Sequence, residues 1–180
     1  MPDPFDTLGL RPDFDLDLEA AARRHLELSK ALHPDRFTTS PKAERRQALG
    51  RAIEVNEAWR LLRDPVRRAE ALLRRLGLAV EEGQEPKPDP ELLMEMMELR
   101  EALSQAGQQK DEAALERLVA DVEARQDAAL AALSRAFSKA LASSGALAAA
   151  ESEALLRRLG ELRYLRRFLD EALALQDELF

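Results

Sequence analysis

Apolar positions recur every three or four residues through most of the chain, the spacing of a helix with one buried face, and nowhere do they sustain the strict alternation of a strand. Helices are predicted near 4–8, from about 17 to 32, from 41 to 62 and from 65 to 76, then over 90–106, 109–143 and 149–179, with a loop at 33–40. Four starts carry a small polar residue before proline: Asp3-Pro4, Ser40-Pro41, Asp64-Pro65 and Asp89-Pro90. In that pairing the polar side chain accepts a hydrogen bond from a free N–H, and proline takes the first helical position, where its missing N–H costs nothing. Gly77, Gly107 and Gly145 each follow a periodic stretch and are expected to close it in the left-handed conformation.

The pattern also predicts which faces are buried. Helix 41–62 gathers Ala48, Ala52, Val55, Trp59 and Leu62, with Asn56 on its inner side. The last helix aligns Leu155, Leu159, Leu162, Leu165, Leu169, Leu173 and Gln176, and the alanine-rich helix before it carries Leu115, Leu118, Val122, Leu130, Leu133, Phe137 and Leu141, suited to an antiparallel hairpin. Between the two groups of helices, Glu81-Glu82-Gly83-Gln84-Glu85-Pro86-Lys87-Pro88 has the makeup of a linker. The expected fold is all-α: an N-terminal helical unit over 1–76, a connection at 77–89 and a C-terminal three-helix bundle over 90–180.

Charge sharpens that division. Residues 1–76 hold 15 basic and 13 acidic side chains, a net of +2, while 77–180 hold 12 and 21, a net of −9. Within the first part, 18–76 reach +6. The acidic total argues against wholesale phosphate binding, so the basic element is expected to meet an acidic protein partner and not nucleic acid. With no cysteine, and only His25 and His33 as imidazoles, disulfides, thiolate metal sites and cysteine nucleophiles are ruled out, and no cofactor is expected. No apolar run approaches the roughly 18 to 20 residues that span a bilayer, and Met-Pro-Asp-Pro-Phe-Asp is acidic where a secretory signal is basic, so a cytoplasmic protein without membrane contact is expected.

The most informative segment is Leu32-His33-Pro34-Asp35-Arg36-Phe37. A residue before proline is pushed out of the α region, so the helix from 17 must end near His33, and the turn presents His33 and Asp35 rigidly at a helix end. Taken alone, this is also how an ordinary helix stop with a turn aspartate reads. Its setting is more specific: the first of the two flanking helices bears Arg23, Arg24 and Lys30, and the second ends in Asp64-Pro65.

Here the sequence resembles a J-domain, a helical hairpin that displays a His-Pro-Asp loop to an ATP-dependent chaperone of the DnaK class. Within that class it is similar to the HscB family of iron–sulfur cluster co-chaperones. The residues that carry the likeness are Phe5-Asp6-Thr7-Leu8-Gly9-Leu10, His33-Pro34-Asp35-Arg36-Phe37, Ile53-Glu54-Val55-Asn56-Glu57-Ala58-Trp59-Arg60-Leu61-Leu62-Arg63-Asp64-Pro65, Arg67-Arg68-Ala69-Glu70-Ala71-Leu72-Leu73 and Leu92-Leu93-Met94-Glu95-Met96-Met97-Glu98-Leu99-Arg100-Glu101. Two positions depart from the family pattern: Leu32 stands where an aromatic residue usually precedes the loop, and His25 replaces an aromatic earlier on that helix. No zinc-binding N-terminal extension of the kind some eukaryotic members carry is expected, since these residues include no cysteine to build one.

The resemblance implies that His33, Pro34 and Asp35, with Arg23, Arg24 and Lys30, meet an HscA-like chaperone of the DnaK class and stimulate its ATPase, the chain being no enzyme itself. Arg23 and Lys30 share nearly one helix face, with Glu27 placed to pair with either, so a solvated face of intrahelical ion pairs is the competing reading. On helix 90–106, Leu92, Met96, Leu99 and Leu103 form one stripe, while Leu93, Met94 and Met97 lie on a flank bordered by Glu98, Arg100 and Glu101. The flank reads either as part of a wide core, since methionine fills irregular gaps, or, by the resemblance, as the surface that binds an IscU-type iron–sulfur scaffold. Tyr164 and Phe168 fall off the leucine stripe of the last helix, where Tyr164 could extend that surface or simply pack. The alternatives are a J-domain co-chaperone whose bundle recruits other clients, a hydrolase using His33 and Asp35, and a metal site at His25 and His33; the last two lack further groups at suitable spacing.

Overall fold

A computed structural model describes residues 2–78, 80, 90–143 and 147–179, and among these the chain is helical, with no strand. The elements are α1 (Pro4–Leu8), α2 (Leu18–Ala31), a 3₁₀ turn (Pro34–Phe37), α3 (Lys42–Arg63), α4 (Pro65–Arg75), α5 (Pro90–Gln109), α6 (Glu112–Ala142) and α7 (Ala149–Leu179). They form two compact units, Met1–Ala79 and Val80–Phe180. The linker expected at 81–88, the cap expected from Asp89 and the helix stop expected at Gly145 lie outside the described residues.

In the first unit Phe5 and Leu8 of α1, Val55, Ala58 and Leu62 of α3, and Ala69, Leu72 and Leu73 of α4 close one core, with Phe14 reaching in from the loop before α2. Asp3 caps α1 by accepting from the Phe5 N–H at 2.8 Å, and its other oxygen meets Arg75 Nη1 at 2.7 Å, tying the start of the unit to the end of α4. Arg68 is buried, donates to the Leu62 carbonyl at 2.7 Å and lies 5.1 Å from the Phe14 ring centroid. Its guanidinium thereby covers the corner between α3 and α4, where helix-end carbonyls otherwise lack donors.

In the second unit Leu115, Val122, Ala129, Leu133 and Phe137 of α6 face Leu155, Leu159, Leu162, Leu165, Phe168 and Leu169 of α7, all buried. Lys139 Nζ meets Glu151 Oε1 at 2.7 Å where α6 ends and α7 begins. Helix α5 adds Leu103 and Ala106 to the core, with Leu99 partly buried against it.

Four expectations need correction. Ser40 does not cap α3: Pro41 holds the cap position in an extended conformation (ψ 150°) without any side-chain bond, and the helix starts one residue later, at Lys42. Phe168 is core and Leu173 is exposed, because α7 faces both α5 and α6 and its buried arc is wider than the single leucine line. The loop at 33–40 contains the 3₁₀ turn. Gly107 lies inside α5, which runs to Gln109, and Lys110 takes the left-handed conformation (φ 52°) that ends it. The closure is carried by Lys110 N–H to the Gly107 carbonyl at 3.2 Å and Asp111 N–H to the Ala106 carbonyl at 3.0 Å. Gly107 serves close packing instead, since a β-carbon there would stand 3.0 Å from Leu175 Cδ2. Gly77, by contrast, is left-handed as expected (φ 81°).

Moving the glycine to the position whose conformation needs it, Gly107→Ala with Lys110→Gly, is expected to raise stability by about 1 kcal/mol, because the obstacle at 107 is the tip of a flexible side chain. A urea titration followed by circular dichroism reads this directly. A lowered midpoint would show that Leu175 cannot give way.

Candidate functional site

The turn after α2 is built by its proline. His33 is held extended (φ −61°, ψ 134°) and Pro34 opens the 3₁₀ turn. His33 Nδ1 accepts from the Asp35 N–H at 3.4 Å, capping the turn, and lies 3.4 Å from Asp35 Oδ2. The Arg36 N–H donates to the His33 carbonyl at 3.0 Å, and the Thr38 hydroxyl to the Asp35 carbonyl at 3.2 Å. The backbone is thus pinned while the His33 and Asp35 side chains remain 60% and 85% exposed, an open surface and not an enclosed catalytic pocket.

The departure at His25 is absorbed by specific contacts. Its ring stacks on Trp59 of α3 (centroids 5.6 Å apart, planes 18°), and Nε2 lies 2.9 Å from Asn56 Oδ1 and 3.3 Å from Ser29 Oγ. Asn56 is exposed, not inward, yet joins α3 to α2 through this bond. His25 lies within α2 and His33 beyond its end, and among the described residues no further ligand joins them: no group of three or more His, Cys, Asp or Glu there could hold a metal ion.

The cations of α2 are not equivalent. Arg23 Nη1 lies 3.8 Å from Glu19, and Glu27 pairs with Arg24 at 3.3 Å and not with Arg23 or Lys30, correcting the expected pairing. Arg24 Nε also donates to the Leu8 carbonyl at 3.2 Å, closing the end of α1. Lys30 is exposed and has no ion pair among the described residues, and the same holds for Arg36, Lys42, Arg45 and Arg46 around the turn and the first turns of α3. Those four residues were missed from sequence. The signal was there in the basic excess of 18–76, which was read onto α2 alone.

In the second unit Leu93, Met94 and Met97 are 49%, 63% and 65% exposed on α5, while Met96 and Leu99 turn inward. Glu98, Arg100 and Glu101 are exposed beside them. Arg100 also reaches Glu171 of α7 at 3.6 Å. Tyr164 is half-buried, tilted against Phe168 with centroids 6.5 Å apart, and its hydroxyl donates to the Met96 carbonyl at 2.9 Å. Burial pushes the Tyr164 hydroxyl above its ordinary pKa, against the opposing effect of Arg100, so it stays a proton donor through the neutral range.

The architecture defines an all-helical protein of two units, one a hairpin with a His-Pro-Asp turn, the other a three-helix bundle with an exposed apolar flank. Residues 88–173 match the family model described as the HSCB C-terminal oligomerisation domain. Over 101 residues, 56% of the chain, the sequence is 41% identical to proteins described as "Co-chaperone protein HscB homolog" from Vibrio vulnificus strains YJ016 and CMCP6, the match spanning 59% of the length of those relatives. The structure of chaperone HscB from Vibrio cholerae is similar over 99% of both chains, with a TM-score of 0.82 and 31% identity. Human co-chaperone HscB shares the fold, with a TM-score of 0.82 over 96% of this chain and 81% of the human one, at 24% identity. The chain belongs to the HscB co-chaperone family.

The contacts separate a structural cation from solvent-facing ones. Arg24→Ala is expected to lower stability by about 1 kcal/mol through loss of its bond to Leu8, whereas Lys30→Ala should stay within about 0.5 kcal/mol of the parent. Thermal melting of the two variants side by side checks this; equal melting temperatures would remove the structural role of Arg24.

Proposed function

We propose that this chain is a non-enzymatic adaptor that captures an IscU-type iron–sulfur scaffold on α5 and brings it to an HscA-like chaperone of the DnaK class, whose ATPase it stimulates through the His33-Pro34-Asp35 turn. The observation that carries this reading is the placement of the two exposed surfaces on separate compact units. One protein then carries two distinct surfaces, each on its own unit.

Each surface suits its assigned chemistry. A carboxylate on a pinned turn presents both oxygens in a fixed direction, which favours bidentate pairing with an arginine of the partner. Lys30 and Arg23, with Arg36, Lys42, Arg45 and Arg46 around the turn, supply positive charge that steers an acidic surface toward it. ATP hydrolysis is the partner's chemistry, and the turn acts by reorienting the partner's own groups. On α5, unbranched methionines beside a leucine adapt to a partner's contours, and Glu98, Arg100 and Glu101 form a polar rim.

His33→Gln and Asp35→Asn are each expected to abolish stimulation of the chaperone ATPase in a steady-state phosphate-release assay. Scaffold affinity should be unchanged and folding stability shifted by no more than about 0.5 kcal/mol, since both side chains are exposed. Normal stimulation by either variant would sink the assignment of the turn. On α5, replacing Leu93, Met94 and Met97 together with alanine should weaken scaffold binding in calorimetric titration by roughly tenfold or more per important residue. Melting should scarcely move, because the three are already solvent-exposed, and ATPase stimulation measured without scaffold should survive. An unchanged affinity in the folded variant would place the scaffold elsewhere.

A further inference from the structure

Beside the N-terminal half of α5 lies a cleft of about 310 Å³ that opens to solvent. Leu92, Met96 and Leu99 border it from α5, and Ala128, Ala129 and Ala132 of α6 stand opposite. Small side chains thus face the helix where large ones would hold it by packing, so this half of α5 forgoes contacts that a filled core supplies. Further along, Leu103 and Ala106 are buried. The helix is therefore anchored in the core at Leu103 and Ala106, while the half that carries the apolar flank borders a solvent-open cleft.

Polar contacts cross that cleft, among them these two. Glu95 meets Arg125 of α6 at 2.9 Å, but both side chains are nearly half exposed and water screens the pair. The other is the Tyr164 hydroxyl, 2.9 Å from the Met96 carbonyl. Its ring rests against Phe168, which belongs to the buried core of α7. The phenol is therefore a strut of fixed length between a rigid helix and the backbone of α5, attached at the residue directly before Met97. Its hydroxyl also interacts with the side chain of Arg100 on α5.

We propose that Tyr164 is a positioning residue for partner recognition: its hydroxyl fixes the N-terminal half of α5 beside the cleft, and so sets where Leu93, Met94 and Met97 are presented. The inference rests on the reading of α5 as the scaffold-binding helix. A surface held in its bound arrangement before contact loses less freedom on association, so a strut of this kind raises affinity without touching the partner. The role needs the hydroxyl itself, because a phenylalanine would keep the ring packing and lose the link to Met96.

The test combines Tyr164→Phe with the cleft-filling substitution Ala132→Leu, in the full chain. Amide hydrogen exchange should show residues of the first half of α5 exchanging faster in Tyr164→Phe, with the buried amides of α6 and α7 unchanged, and a return toward parent rates in the double variant. Calorimetric titration with the IscU-type scaffold should show an affinity loss of roughly three- to tenfold, the size of one hydrogen bond, recovered by the same second substitution. Unaltered exchange in α5 would overturn the proposal. So would full affinity in Tyr164→Phe, or a loss that persists when exchange has been restored, which would make the hydroxyl a direct contact. If the parent protein itself fails to bind the scaffold, the functional reading of α5 is what falls, and the exchange measurement still decides whether Tyr164 holds the helix.

Discussion

A hydrogen bond from a helix's free N–H to an aspartate just ahead of it recurs at the start of four helices and fixes how the chain enters each of them. Asp3, Asp17, Asp64 and Asp111 accept from Phe5, Ala20, Arg67 and Ala114 at 2.8, 2.9, 3.1 and 2.9 Å. Each such cap contributes about 1 kcal/mol, a substantial share of the marginal stability of a small unit. A helix has no internal reason to begin at one residue and not the next; the cap supplies it, and with it the direction from which the apolar face meets its neighbours. The functional turn uses the same device with an imidazole in place of a carboxylate, His33 Nδ1 accepting from Asp35. The group proposed to act on a partner is therefore also the group that holds its own loop.

What the residues disclosed in advance follows from the reach of each interaction. The starts at Pro4 and Pro65 were legible because an aspartate and a proline act within three residues. Ser40-Pro41 looked the same but failed, since Pro41 itself stands in the extended cap conformation and Ser40 lies one residue too early to reach the free N–H groups. Helical spacing set Leu93, Met94 and Met97 apart on one flank of α5 but left open whether that flank is core or surface, and only their exposure in the fold decides it. The width of the buried arc on α7 was not legible, because it depends on how many helices pack against it, and so Phe168 and Leu173 were misplaced. Gly107 was misread for a related reason: its use is a close approach to Leu175, 68 positions away, which no local pattern encodes.

Candidate residues divide along the same line. His33, Pro34 and Asp35 are a local motif, picked out by the tripeptide together with the helices that flank it and not by the three letters alone. Arg24 belongs to the same basic helix as Lys30, yet its bond to Leu8, sixteen residues back, makes it part of the scaffold of its unit. Tyr164 was legible as an aromatic residue off the leucine line, but the partner of its hydroxyl lies on another helix. Residue type identifies a chemistry within a turn or two, and long-range contacts decide whether that chemistry is spent on the fold or left for a partner.

The two surfaces differ in stiffness, and the difference suits what each is proposed to do. A turn proposed to redirect another protein's catalytic groups works by angle, and its backbone is closed by proline, two hydrogen bonds and the capping ring. A helix that must grip a client works by area, and area tolerates adjustment; α5 borders a solvent-open cleft and presents flexible methionines. Too loose a seat would raise the ordering cost of every encounter, and too tight a one would leave the client no room to fit. A single hydroxyl to a backbone carbonyl is an intermediate solution, strong enough to define a resting position and weak enough to yield. In the proposed function, holding both surfaces on one chain would let capture by the adaptable one raise the concentration of client near the rigid one, without demanding that either be tight alone.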